Sequence, residues 1–220
     1  MKNKTIATFL CAIGLTVFTP TLVAQEYMFT YSKLHSQLKN NAKEGHEDVK
    51  IGFFFTNADT KTLCNIEKAW MEKQAKYEEL TPVNGKELLV PLDSNLKSAN
   101  PLVFVRTPMD MRCDFSMVVM TKEPFSNKVY YKDIEKLLPQ MQSMLEDLGG
   151  MFASWFTPDV EGVTLEFTEQ STGKVTFSNG LSVDIVKGKA RISLADLKPG
   201  DYIELPEPTT RVLPWLPSAK

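Results

Sequence analysis

Short segments in which apolar and polar residues alternate recur along this chain of 220 residues. The alternation runs from Val49 to Phe53 and again from Val163 to Phe167, and Asn179-Gly180 separates two later segments of the same kind. Successive side chains of a strand point to opposite faces, so the pattern is typical of strands with one buried face, and Asn-Gly is a strong hairpin signal. We therefore predict a mostly β (α+β) fold, with two antiparallel β units of sandwich or barrel type joined by one amphipathic helix.

The first β unit, predicted over residues 25–128, contains one ambiguous stretch. Further strands are expected at 88–92, 102–105 and 113–119. Residues 65–80 fit a helical stripe and contain good helix formers, yet Cys64, Ile66 and Trp70 also fit one face of a strand. We favour strands, because the strand at Cys113 needs a partner in a sandwich.

A connecting helix and an aromatic segment are predicted over residues 129–157. Apolar residues follow helical spacing from Ile134 to Leu148, and Gly149-Gly150 supplies a stop signal. Pro139 interrupts this pattern, because a proline inside a helix removes one hydrogen bond and clashes with the preceding turn. Either the helix kinks at Pro139, or it begins near Leu138 with the proline in its first turn.

The second β unit, with a proline-rich tail, is predicted over residues 158–220. Strands flank the turns at Asn179-Gly180 and Lys187-Gly188, and a last strand is expected from Tyr202 to Leu205. Four prolines then follow, at Pro206, Pro208, Pro214 and Pro217. Such a tail suits an extended segment that lies across a surface.

Residues 1–24 have the character of a cleavable signal peptide. Lys2 and Lys4 precede an apolar run from Ile6 to Phe18, which is too short to span a bilayer. Ala24 closes the segment, so cleavage is expected there, with export to the periplasm and Gln25 as the mature N-terminus. No later segment is apolar enough to be a transmembrane helix.

The charge of the mature chain argues against nucleic acid as a partner. Removing residues 1–24 takes away two lysines and no acid, so the net charge falls from −2 to about −4. The sequence contains no basic block, which also argues against an anionic membrane as the main partner.

Cleavage would leave two cysteines. Cys11 lies in the signal segment, so Cys64 and Cys113 form the remaining pair in a compartment that oxidises thiols. We predict a structural disulfide between them. A C-x-x-C redox pair is absent.

Three features together carry a resemblance. They are Gly45-His46-Glu47-Asp48-Val49-Lys50 leading into a strand, the Cys64/Cys113 pair, and the ending Leu213-Pro214-Trp215-Leu216-Pro217. On these features the mature chain resembles a family of exported proteins from marine gammaproteobacteria that carry a domain of unknown function. The resemblance implies a periplasmic location and supplies no catalytic residues.

Familiar catalytic motifs are absent from the sequence. Histidine occurs only at His35 and His46, and there is no G-x-S-x-G elbow, P-loop, G-x-G-x-x-G or H-E-x-x-H motif. We therefore expect no catalytic residue and no cofactor, and we favour a binding role over catalysis.

A metal-binding protein is the alternative function. Imidazole and carboxylate groups at His35, His46 and Asp48 suit zinc or copper, and the thioethers of Met109 and Met111 suit Cu(I). Adjacent residues before a strand cannot all face one ion, and methionine also fills gaps in cores. We therefore expect no metal site.

A candidate binding surface follows the connecting helix. Its flexible and aromatic apolar side chains could receive a peptide, a lipid or an envelope protein. Filling of the seam between the two β units is the favoured structural explanation, because large exposed apolar patches are rare on monomers. The residues concerned are Met144, Met151, Phe152, Trp155 and Phe156.

Overall fold

The computed structural model describes residues 25–150 and 157–217. It is mostly β, with several antiparallel sheets and few helices, and its described strands form no closed barrel. Within this part of the chain, none of the helices combines the length and hydrophobicity that a membrane crossing requires.

The N-terminal half contains six strands and two helices. In chain order they are β1 (Gln25–Thr30), α1 (Tyr31–Leu38), β2 (Val49–Asn57), β3 (Lys68–Lys73), β4 (Lys76–Leu80), α2 (Ser94–Ala99), β5 (Leu102–Thr107) and β6 (Cys113–Thr121). A 3-10 turn, Lys39–Ala42, follows α1. The strands form a four-stranded antiparallel sheet in the order β1-β5-β3-β4 and a separate β2-β6 pair.

The remaining elements complete two further sheets. They are β7 (Lys128–Tyr130), α3 (Tyr131–Gly149), β8 (Gly162–Glu166), β9 (Lys174–Phe177), β10 (Ser182–Asp184), β11 (Lys189–Ser193), the 3-10 turn Leu194–Asp196, β12 (Tyr202–Glu204) and β13 (Arg211–Trp215). The sheet orders are β10-β9-β12-β7 and β11-β8-β13. The segment that joins the two predicted units therefore supplies a strand as well as the helix.

The inward-facing residues of all four sheets and of α1 and α3 form one cluster of buried apolar side chains. Phe53 and Phe55 from β2, Ile134 and Met141 from α3, and Leu165 from β8 are each at most 1% exposed. The predicted alternation accounts for these positions, since each strand turns one face towards the cluster.

The ambiguous stretch 65–80 forms strands, as favoured from the sequence. β3 and β4 are a hairpin across Gln74-Ala75. The predicted Asn179-Gly180 hairpin is also present, with β9 paired to β10. Cys64 and Cys113 are bonded, so the predicted disulfide is part of the structure.

One expectation about local structure was wrong, and another was incomplete. Residues 88–92 form no strand, because only Leu88 pairs with a neighbour, through an isolated bridge to Phe53. The tail is not merely laid across a surface, since Arg211–Trp215 pairs along β8 and places Pro214 opposite Val163. Proline is accepted there because β13 is an edge strand, where one N–H can be missing without breaking a ladder.

Helix α3 runs through Pro139 instead of beginning after it. The proline is exposed, so the carbonyl of Glu135, which loses its helical donor, lies on the solvent side of the helix. The buried face, with Ile134, Leu137 and Met141, is continuous across the interruption.

Candidate binding surface

The outer face of the β1-β5-β3-β4 sheet carries a row of large side chains. Ala69, Met71 and Val105 point into the core, so their neighbours Trp70 and Phe104 point outward. The strand register places Met28 opposite Phe104, Phe104 opposite Trp70, and Trp70 opposite Glu79. One row therefore crosses all four strands. We call Met28, Trp70, Tyr77 and Phe104 the aromatic face.

Rings within the aromatic face lie nearly parallel to one another. The centroids of Trp70 and Phe104 are 5.1 Å apart with an interplanar angle of 11°, and those of Trp70 and Tyr77 are 6.5 Å apart with an angle of 26°. Met28 and Tyr77, at the two ends, are 62% and 53% exposed. Trp70, between them, is only 7% exposed, so the apolar surface offered to a partner comes mainly from Met28, Phe104 and Tyr77, with Trp70 as the ring on which they are stacked.

Charged side chains border these rings. Lys68 Nζ lies 5.4 Å from the Trp70 ring centroid and 5.7 Å from that of Tyr77. The Arg106 guanidinium lies 5.1 Å from the Trp70 centroid and is held by Glu26 at 2.8 Å. Cation–π contacts of this kind fix both the rings and the cations. The border therefore combines positive and negative groups, as the rim of an interface does.

A polar cleft lies elsewhere, between α1 with its 3-10 turn and the C-terminal part of α3. Its volume is about 610 Å³, and its lining residues are Ser36, Gln37, Lys39, Asn40, Lys43 and Asp147. His46 lies beneath it. The ring Nδ1 is 2.8 Å from the Asn40 carbonyl oxygen, and Nε2 is 3.1 Å from Ser143 Oγ and 3.7 Å from Asp147 Oδ2.

This convergence of hydroxyl, imidazole and carboxylate is one that a hydrolase would need. With Nδ1–H donated to the Asn40 carbonyl, Nε2 can accept the Ser143 proton. The His46 ring is completely buried, however, and Ser143 lies inside α3, where neighbouring backbone N–H groups bond within the helix. The arrangement therefore serves to tie the loop before β2 to α3.

The residues proposed as metal ligands are held in different contacts. His46 is bonded as above, and Asp48 Oδ2 accepts from Gln140 at 2.7 Å and contacts Lys136 at 2.7 Å. The Lys136 and Gln140 hydrogen bonds hold the pKa of Asp48 below its usual range. Met109 is half exposed on a loop. Within the described ranges, no group of three or more His, Cys, Asp or Glu side chains is placed to hold a metal ion.

His35 and Met111 are likewise separate from these contacts. His35 lies on α1 with its ring centroid 5.8 Å from that of Tyr31. Met111 packs against the apolar core.

The candidate surface after α3 is described only at its first residue. Met144 is completely buried in the core, so its side chain is not exposed for contact with a partner. The reason is the helical period, which places Met144 on the face of α3 shared by Ile134 and Met141. Met151, Phe152, Trp155 and Phe156 lie outside the described residues, so their role stays a prediction.

Sequence reasoning missed the aromatic face. The sequence did carry a signal for it: Lys68, Trp70 and Glu72 alternate with the core residues Ala69 and Met71. Once residues 68–73 are taken as a strand, Trp70 must lie on the polar face with two charged neighbours. A large aromatic residue on a polar face is the observation that indicates a binding surface.

Comparison with known proteins identifies a family without assigning an activity. No curated protein and no solved structure matches this chain. Residues 23–167 match the model of a family described as a protein of unknown function, DUF2987. Because this match covers more than half of the 220 residues, the chain belongs to the DUF2987 family.

Proposed function

We propose that this is an exported, periplasmic binding protein of the cell envelope, without catalytic activity, and that it binds its partner through the aromatic face. The observation that carries the proposal is the row of Met28, Phe104 and Trp70 on the outer side of a sheet whose other side is already packed. Apolar residues that no core requires, with a charged border, are typical of interaction sites.

Three observations support export. Residues 1–24 have the pattern of a signal peptide, and the family match begins at residue 23, beside the expected cleavage site after Ala24. The Cys64–Cys113 bond supports export as well, because disulfides persist mainly in compartments that keep thiols oxidised.

Export is tested by fractionating cells that express the full chain and sequencing the N-terminus of the recovered protein. The expected result is a periplasmic protein that begins at Gln25 and has no free thiol under denaturing conditions. Uncleaved protein retained in the cytoplasm would contradict the proposal.

Binding is tested by placing a photo-crosslinking residue at Met28 in the full chain and irradiating intact cells. Val186 is a matched control, since it is 64% exposed against 62% for Met28 and lies outside the β1-β5-β3-β4 sheet. We expect a discrete crosslinked species from position 28 that is absent from position 186. Identical patterns from both positions would argue against the aromatic face.

A pair of tyrosine variants tests the same surface independently. Tyr77→Ala is expected to weaken formation of the position-28 crosslink by on the order of tenfold, because aromatic anchors dominate interface energies. Tyr130→Ala is the control, since Tyr130 is 44% exposed on the β10-β9-β12-β7 sheet. Equal crosslinking in both variants would remove Tyr77 from the binding surface.

A further inference from the structure

We propose that two copies of this chain associate through β4, which pairs antiparallel with β4 of the second copy about a twofold axis at Tyr77. This inference does not depend on the proposed function. It follows from the free edge of one sheet and from the order of charges along it.

β4 is an edge strand of the β1-β5-β3-β4 sheet and has no partner on its outer side among the described residues. It pairs with β3 alone, and none of the backbone bonds outside the regular ladders uses Lys76–Leu80. Lys76 to Glu79 are all exposed. A strand edge of this kind can accept another strand.

The hairpin geometry identifies which backbone groups point outward. Lys73 and Lys76 face each other across the two-residue loop Gln74-Ala75, so they form the hydrogen-bonded pair that closes the hairpin. Hydrogen-bonded and non-hydrogen-bonded pairs alternate along an antiparallel ladder. The N–H and C=O groups of Tyr77 and Glu79 therefore face away from β3, towards the free edge.

Charge order selects one register for the second copy. A twofold axis at Glu78 would place Glu78 opposite Glu78, and an axis at Glu79 would place Glu79 opposite Glu79. An axis at Tyr77 instead places Lys76 of each copy opposite Glu78 of the other. Like charges directly opposite are destabilising and opposite charges stabilise, so the Tyr77 register is favoured.

The same register satisfies the outward backbone groups. Tyr77 of one copy faces Tyr77 of the other, and each can donate its N–H to the other's carbonyl. An axis between two residues would set outward-facing groups against inward-facing ones, and no ladder could form.

Lys76 and Glu78 are free to make these contacts. Neither forms an ion pair within the described ranges. Across the hairpin, Lys76 faces Lys73 and Glu78 faces Met71. The only opposite charge that either meets in a strand pair is therefore the one supplied by the second copy.

Pairing would join two sheets of four strands into one of eight and make the two aromatic faces continuous through the facing Tyr77 side chains. The contact is short, and it buries less surface than the roughly 1,200–2,000 Å² of a stable interface. We therefore expect a weak dimer that forms with rising protein concentration.

Sedimentation equilibrium of the mature protein over a wide concentration range tests the dimer. We expect reversible dimerisation in the wild type. Lys76→Glu should weaken the dimerisation constant by on the order of tenfold, because the new glutamate at position 76 of each copy then lies opposite Glu78 of the other copy. The double variant Lys76→Glu/Glu78→Lys should restore it, since the opposite charges are exchanged.

Charge exchange is a fair test because neither substitution removes an ion pair within the described part of one copy, and near-UV circular dichroism checks that the fold is retained. Tyr77→Pro, which removes the outward N–H, should abolish the dimer, whereas Tyr77→Phe should keep it. A protein that stays monomeric at all concentrations overturns the proposal. So does a dimer that is insensitive to Lys76→Glu, or one that the double variant fails to restore.

Discussion

The two ends of this chain hold their strands together by different means. Between residues 25 and 121, the Cys64–Cys113 disulfide joins the segment before β3 to the start of β6, beside a cluster of aromatic rings. In that cluster, the rings of Tyr27 and Phe55 are 4.7 Å apart and those of Phe29 and Phe115 are 4.6 Å apart.

In the β11-β8-β13 sheet, the central strand instead ends in a buried carboxylate. Glu166 is 5% exposed, and it is held by Arg211 Nε and by Lys189 Nζ at 2.7 Å each. Each cation comes from one of the two flanking strands. Burial alone raises the pKa of Glu166, but the charges and hydrogen bonds of Arg211 and Lys189 outweigh it and lower the pKa.

This difference means that the two regions respond to different conditions. A disulfide restricts the unfolded chain at any pH until it is reduced, whereas a buried ion cluster holds only while its carboxylate is charged. Because one apolar core joins the regions, a loss in either should also lower the stability of the whole.

The largest effect is expected from removing the disulfide. The bond joins residues that are 49 positions apart in the sequence, so Cys64→Ser/Cys113→Ser should lower the free energy of unfolding by about 4 kcal/mol. Urea denaturation measures the loss, and wild-type protein in reductant is the matched comparison. Unchanged stability would show that the aromatic cluster suffices for the N-terminal region.

Glu166→Gln should destabilise the protein by about 3 kcal/mol at neutral pH. The variant keeps the shape of the side chain but leaves Arg211 buried and without its countercharge. Lys174→Gln is the control, since Lys174 pairs with Asp184 at an exposed position where an ion pair contributes little. Hydrogen exchange should show the greatest loss of protection in β8, β11 and β13, and a loss spread evenly over both regions would break the comparison.

The contribution of Glu166 should disappear in acid. Its folded-state pKa is lowered, so its stabilisation is present above the unfolded pKa, about 4.3 for glutamate, and is lost as the pH falls through the folded pKa. The stability difference between wild type and Glu166→Gln should therefore be constant near neutrality and shrink below about pH 4.3. Thermal unfolding across pH tests this, and a gap that widens in acid would contradict the assigned sign.

A smaller effect is expected at His46, which belongs neither to the disulfide nor to the Glu166 ion cluster. His46→Phe should cost about 1–3 kcal/mol, because the Asn40 carbonyl and the Ser143 hydroxyl lose a buried partner. Ser143→Ala, which removes one hydroxyl, should cost about 1 kcal/mol. Chemical denaturation separates the two, and a neutral His46→Phe would show that the loop is held by other contacts.

Structural features that depend on residues close together in the sequence were predictable, whereas features that depend on contacts between distant residues were not. Alternation located β2, β6 and β8, and Asn179-Gly180 located a hairpin, because both signals are local. β1, which pairs with β5, was not anticipated. Residues 88–92 form no strand because no neighbouring strand pairs along them, and only Leu88 makes a bridge, to Phe53.

By itself, the sequence determined that the chain would be mostly β, that a helix would lie between its halves, and that Cys64 and Cys113 would pair. These outcomes depend on side-chain period, turn chemistry and the parity of cysteines. Only the tertiary structure decided that Trp70 would stack on Phe104, that His46 would meet Ser143, and that Glu166 would lie between two cations. Alternation shows that the two faces of a strand differ, but which neighbour covers a face depends on contacts between residues distant along the chain.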